Sequence, residues 1–196
     1  MNATLVSDHD LVARAQQGSE KAYRELLGRY QRPVFSLIYR MVRDREQAED
    51  LAQETFIRVF NHIDRYDPQF KFSSWIFKIA TNLTIDAIRK KEPATVSIDG
   101  SRYATSAEDI EASTITVESK DENPEQLLVA KELGSEIEVA IARLRPEYRT
   151  AILLRHIDGR EYQEIAEIMS VPLGTVKTYI HRARHELRDS LAHLRV

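Results

Sequence analysis

The sequence predicts an all-α protein: two small helical domains joined by a flexible acidic linker, the second domain containing a helix-turn-helix. Three observations predict it. Apolar residues recur at intervals of three and four along most of the chain, and no stretch of useful length alternates as a strand requires. That periodicity vanishes between Glu92 and Glu122, a segment rich in Ser, Thr, Asp and Glu. Charge divides along similar lines. Residues 1–91 and 143–196 each carry net +3, residues 92–132 carry net -7, and the total of -3 over 196 residues conceals the contrast. The expected boundaries are 1–91, 92–122 and 123–196.

The first helix runs from Asp8 to about Gln17 and stops at Gly18, a residue suited to the left-handed position after a helix end. Ser19 caps the next, which carries Tyr23, Leu26, Leu27, Tyr30, Val34, Leu37, Ile38 and Met41 at helical spacing, with Pro33 expected to kink or divide it. Asp44, with Gln47 three residues on, opens a helix to about Ile63 that buries Ala48, Leu51, Ala52, Phe56, Val59 and Ile63. Its other side gathers Gln47, Asp50, Gln53, Glu54, Ile57 and Asn61. An isoleucine amid acids and amides suits a protein-binding patch, although an ordinary solvated face with one stray Ile gives the same pattern.

A proline-containing loop follows, with Tyr66, Phe70 and Phe72, and then Trp75. These rings stand beside Arg65, Lys71 and Lys78. They could stack an unpaired base while the cations hold its phosphates, or simply cap a small core. The helix from Ser73 to Lys91 buries Ile76, Ile79, Ala80, Leu83 and Ala87, and a separate stripe carries Lys78, Asn82, Ile85, Asp86 and Arg89.

Asn123, Pro124 and Gln126 supply the next helix start, whose apolar face is Leu133, Ile137, Ala140, Ile141 and Leu144. Pro146 opens another, closed by Asp158 and Gly159. From Glu161 to Met169, Tyr162, Ile165, Ala166 and Met169 mark one face of a short helix. Ser170 to Pro172 break the period, and a second helix starts at Pro172 or within three residues of it. It sets Val176, Tyr179, Ile180, Ala183, Leu187 and Leu191 on one side. Opposite them stand Lys177, Thr178, His181, Arg182, His185 and Arg188. A helix of this kind fits the major groove, where such side chains reach base edges and phosphates.

Other classes find little footing. With no cysteine and six scattered histidines there is no metal-ligand spacing, so neither a metal nor a cofactor is expected. No nucleophile has a base nearby and no glycine-rich phosphate loop exists, so no catalytic residue is expected. No basic segment leads into an apolar run at Met1 to Asp10, and nowhere do 18 apolar residues run together. A cytoplasmic protein without membrane insertion is the expectation.

Two separated blocks carry a family resemblance. AEDLAQETFIRVF (Ala48 to Phe60) with FSSWIFKIATNLTIDAIRK (Phe72 to Lys90) is similar to region 2 of the extracytoplasmic-function sigma factors. RPEYRTAILLRHIDGREYQEIAEIMSVPLGTVKTYIHRARHEL (Arg145 to Leu187) is similar to their region 4. The resemblance implies a subunit that joins the bacterial RNA polymerase core, through its clamp helices and flap, and directs it to promoter DNA. It places Asp50, Gln53, Glu54 and Ile57 against the polymerase. Tyr66, Phe70, Phe72, Trp75, Lys78, Asn82 and Arg89 fall at the minus 10 element and its unpaired strand, and Thr175, Lys177, Thr178, His181 and Arg182 at the minus 35 groove. It also implies an anti-sigma partner. Two rival classes fit part of the pattern: a stand-alone helix-turn-helix regulator, and an adaptor that uses the acidic patch and has only incidental DNA affinity.

Overall fold

The computed structural model describes residues 6–91 and 124–194, with residues 124–132 as backbone; the expected acidic linker and the Asn123 cap lie outside the described residues. Four helices come first: α1 (Asp8–Gln16), α2 (Glu20–Val42), α3 (Arg45–Asn61) and α4 (Phe72–Lys91), with a 3-10 turn at Ile63–Arg65. Four more follow: α5 (Pro124–Arg143), α6 (Pro146–His156), α7 (Tyr162–Met169) and α8 (Leu173–Ser190), with a last 3-10 turn at Ala192–Leu194. Among the described residues there is no strand, and no helix is long and apolar enough to cross a membrane.

Local chemistry accounts for the helix starts. Ser7, Ser19 and Asp44 each accept a backbone N–H three residues on, at 3.1, 3.4 and 3.1 Å, satisfying donors a helix would otherwise leave unpaired. Gly18 takes its expected positive φ of 85°. Pro33 does not divide α2, which runs unbroken from Glu20 to Val42. The proline lies on the exposed side, where the carbonyl it leaves unpaired meets water, while Leu26 before it and Val34, Leu37 and Ile38 after it enter one core.

Three expected faces need correction. On α3, Leu51 is only half-buried, and Thr55 joins the buried side instead. On α4, Ile79, Leu83 and Ala87 are only half-buried, whereas Phe77, Ser74, Thr81 and Thr84 are buried. The helix is covered on a second side because the other half of the chain docks there: Arg160 donates to Ser73 Oγ at 3.0 Å, and its guanidinium lies 4.7 Å from the Phe77 ring centre. Ala140 on α5 and Leu144 just beyond it are buried, but Leu133 and Ile137 stay exposed, since apolar spacing alone does not guarantee a neighbour.

The two halves therefore share a seam. Buried Arg149 of α6 donates to the Met41 carbonyl in the last turn of α2, and to those of Ala142 and Leu144 in its own half. A cation suits the carbonyl end of a helix. Beside it Thr150 Oγ1 lies 3.7 Å from the Met41 sulfur, and Glu138 pairs with Arg43 and, at 3.6 Å, with Arg40. Asp158, in the turn after α6, has a carboxylate oxygen buried without a hydrogen-bond partner. Burial pushes its carboxyl up to about 6, against the opposing pull of Arg160 and Arg40.

Candidate nucleic-acid and protein interfaces

The acidic side of α3 is open. Asp50, Gln53 and Ile57 are exposed, Ile57 at 54%, and half-exposed Glu54 is bonded along the helix to Arg58 at 2.7 Å. Buried Ala48, Ala52, Phe56 and Val59 hold the opposite side, joined by Thr55, whose hydroxyl donates to the Leu51 carbonyl and so tolerates burial. Sequence reasoning missed a neighbouring groove of about 630 Å³ between α2 and α3, where Ile57 joins Leu27, Phe35, Phe56 and Phe60. Its signal was present: Leu27, Gln31 and Phe35 are four apart and mark a row along α2.

The aromatic loop splits in two. Tyr66 and Phe72, expected to stack a base, are instead spent on the core. Phe72 is 2% exposed, with its ring edge-on to Tyr30 at 5.3 Å and to Tyr66 at 5.6 Å. The Tyr66 hydroxyl donates to the Phe70 carbonyl at 2.6 Å, and burial raises its pKa. A phenol can be buried this way only because its polar end is satisfied. Phe70, 51% exposed, and half-buried Trp75 remain, lining a hollow of about 420 Å³ with Arg65 and Lys78; Glu167 and Ser170 of the other half close its far side.

Lys78, Asn82 and Arg89 are all exposed on α4, as their stripe required. Two cations of this surface already face carboxylates from the second half. Arg89 bonds Glu147 of α6 at 2.5 Å, and Lys71 bonds Glu164 of α7, whose carboxyl is held below its ordinary range first by that bond. Asn82 and Arg89 border a crevice of about 360 Å³ whose other wall includes Met169 and Tyr179.

The helix-turn-helix is built as its residues dictate. Glu161 and Glu164 form a reciprocal capping box at the start of α7, and Ser170 turns the chain at a φ of 54°. Val171 N then donates to the Ala166 carbonyl at 3.1 Å, and α8 follows Pro172. Val176, Ile180 and Ala183 are buried. Lys177, Thr178, His181, Arg182, His185 and Arg188 are exposed, and Thr175 is half-buried. The Thr178 hydroxyl donates to the Gly174 carbonyl at 3.0 Å, while Arg182 donates to the Tyr148 hydroxyl at 3.1 Å. Sequence reasoning missed Arg184, which shares a row with Lys177, seven residues earlier.

With this geometry in view, the comparisons with known proteins agree. The Sigma-70 region 2 family model matches residues 26–93, and the Sigma-70, region 4 model matches residues 135–187. The chain is 39% identical over 186 residues to the ECF RNA polymerase sigma factor SigW of Bacillus subtilis (strain 168), covering 93% of this chain and 96% of that one. Its fold is similar to that of CnrH in complex with the cytosolic domain of CnrY, with a TM-score of 0.63, 21% identity, and coverage of 96% of this chain and 99% of that one. It is also similar to the sigma factor RpoE in complex with the anti-sigma factor NepR from Bartonella quintana, with a TM-score of 0.61, 20% identity, and coverage of 88% and 98%. A stand-alone regulator is not favoured, and the chain belongs to the ECF RNA polymerase sigma factors of the sigma-70 family.

Proposed function

We propose that this sigma factor divides its work among three surfaces. Asp50, Gln53, Glu54 and Ile57, with the apolar groove beside them, engage the clamp helices of the polymerase core. Phe70 and Trp75 take an unpaired base of the minus 10 element, and Lys78, Asn82 and Arg89 hold the strand that leaves it; Tyr66 and Phe72 shape that site from below. Thr175, Lys177, Thr178, His181 and Arg182 read the minus 35 element, and the flap carries the domain that holds them. The domains are 1–91 and 123–196, with 92–122 as the acidic tether. Melting is then a binding process, because capture of a flipped base offsets the few kcal/mol lost in unstacking it. Nucleotidyl transfer belongs to the polymerase. The factor works in the cytoplasm. An anti-sigma protein is its expected antagonist, in keeping with the anti-sigma complex of the similarly folded RpoE.

The single observation that carries this reading is the pairing of an open, groove-sized basic helix with a separate aromatic and cationic hollow. Duplex and unpaired strand need different surfaces, and this chain has both. The same structure implies a conformational step. Elements named minus 35 and minus 10 lie about 25 base pairs apart, roughly 85 Å of duplex, yet Tyr179 of α8 and Asn82 of α4 border one crevice. The folded chain is the resting form, and seating on the polymerase separates its halves.

In vitro transcription with purified core polymerase and a promoter library tests the reading, with Asp50→Arg as control. Specific initiation by the wild type, lost in Asp50→Arg, is expected. Initiation that survives Asp50→Arg would remove the α3 face from the account, and no initiation at all would remove the division of labour.

A further inference from the structure

Successive residues on a helix are 100° apart. Arg182 and Arg184 therefore fall at opposite margins of the basic face of α8, with Lys177, Thr178, His181, His185 and Arg188 between them. Each margin is tied to α6, the helix beneath. Arg182 Nη1 donates to the Tyr148 hydroxyl at 3.1 Å; that tyrosine is 6% exposed and its ring lies 5.4 Å from Tyr179, so its hydroxyl is a fixed post. Arg184 Nη2 lies 3.1 Å from His156 Nε2. Burial, then the charges of Arg184 and Arg155, lower the pKa of His156, so its ring is neutral at physiological pH and Nε2 can accept. Elsewhere on the face, His185 and Arg188 lie against Asp189, at 2.9 and 3.7 Å. Neither Arg182 nor Arg184 forms an ion pair among the described residues.

A helix with its side chains is about 10–12 Å across, and the major groove is about 12 Å wide. A helix lying in that groove brings its middle to the base edges and its margins to the two phosphate backbones. We infer that Tyr148 and His156 are positioning residues that hold Arg182 and Arg184 as phosphate clamps, one for each strand, and so set the rotation of the recognition helix in the groove. A tethered guanidinium keeps donors free for a phosphate and has less rotamer freedom left to lose on binding. The inference rests on α8 as the minus 35 reader and moves Arg182 from base contact to backbone contact; base reading falls to Lys177, Thr178 and His181.

The test uses full-length factor on core polymerase, bound to a duplex that carries the upstream element and ends before the minus 10 element. Binding is titrated with salt, on the preferred sequence and on its single-base variants. Arg182→Ala and Arg184→Ala should each lower the slope of log affinity against log salt by about one, and weaken all sequences alike. Tyr148→Phe and His156→Ala keep both charges. They should weaken binding roughly 3- to 10-fold with the slope little changed, and Tyr148→Phe should add nothing in an Arg182→Ala background, nor His156→Ala in Arg184→Ala. Thermal melting checks that the variants remain folded. A change of preference at one base position on losing either arginine would overturn the clamp. Additive losses in the paired variants would overturn the positioning role. Wild-type holoenzyme without sequence preference on this duplex would instead overturn the reading of α8 beneath it.

Discussion

The two surfaces proposed to bind nucleic acid share exposed cations and sit in opposite circumstances. On α8 the basic face is open, because the helix spends its apolar side on its own half and, among the described residues, no hydrogen bond or ion pair from the other half reaches its polar side. Around α4 the cations are similarly exposed, but Arg89 and Lys71 face Glu147 and Glu164 from the second half, and Glu167 and Ser170 close the hollow at Trp75 and Lys78. Carboxylates stand where the proposed function puts phosphates. A helix with one committed side presents its function freely; a helix with two covered sides presents it only after something moves.

The seam offers the largest effect. Arg149→Ala leaves the Met41, Ala142 and Leu144 carbonyls without their buried donor, and losses of this kind cost about 3–5 kcal/mol. Urea denaturation should show it, and a loss below about 1 kcal/mol would break the idea that the halves are bolted together.

Next comes the hollow. Phe70→Ala should leave stability nearly unchanged, since the ring is 51% exposed. Binding of the holoenzyme to a single-stranded minus 10 oligonucleotide should fall by about 1–3 kcal/mol, the worth of one base stacked on a ring. Equal binding by Phe70→Ala would show that the exposed ring is idle.

Asp158 sharpens the comparison through pH. Its folded-state pKa, about 6, lies above the ordinary 3.8, so the folded chain holds the proton more tightly than the unfolded one. Its contribution is fully present below about pH 4 and is lost as pH rises through 6. Asp158→Asn should therefore be more stable than wild type at pH 7.5, by about 1 kcal/mol once solvent screening is allowed for, and the advantage should vanish near pH 4. Denaturation midpoints across that range check it; a constant difference would place the carboxylate in water.

The smallest effect is Glu147→Gln. Its bond to Arg89 lies at the surface, where such pairs contribute about 0.2–1 kcal/mol. Free factor carrying it should bind the single-stranded oligonucleotide up to about fivefold better by that amount. Unchanged binding would mean that the pair does not shield the strand-holding face.

Most of the helices were legible in the sequence because their causes are local. Ser19 and Asp44 lie within three residues of what they cap, and the polar and apolar sides of α8 follow from a single period. The second helix of the helix-turn-helix could be read before any fold was known, and the six residues of its basic face are exposed. The seam could not. Arg149 finds Met41 across 108 positions, Lys71 finds Glu164 across 93, and Arg89 finds Glu147 across 58; no spacing rule joins them. The same blindness left two readings open for Tyr66 and Phe72, base stacking or core, since a buried phenol looks like an exposed one until its acceptor, here the Phe70 carbonyl, is known.

The most direct test of the covered-surface account is a distance. The chain has no cysteine, so single cysteines at exposed Lys21 and Glu186 can carry a pair of spin labels, with Lys21 outside the α3 face proposed to meet the polymerase. The account predicts one short, narrow distribution in the free factor, and a distribution tens of ångströms longer when core polymerase and promoter DNA are added, as two elements roughly 85 Å apart demand. The same distance in both states, with transcription intact, would contradict it.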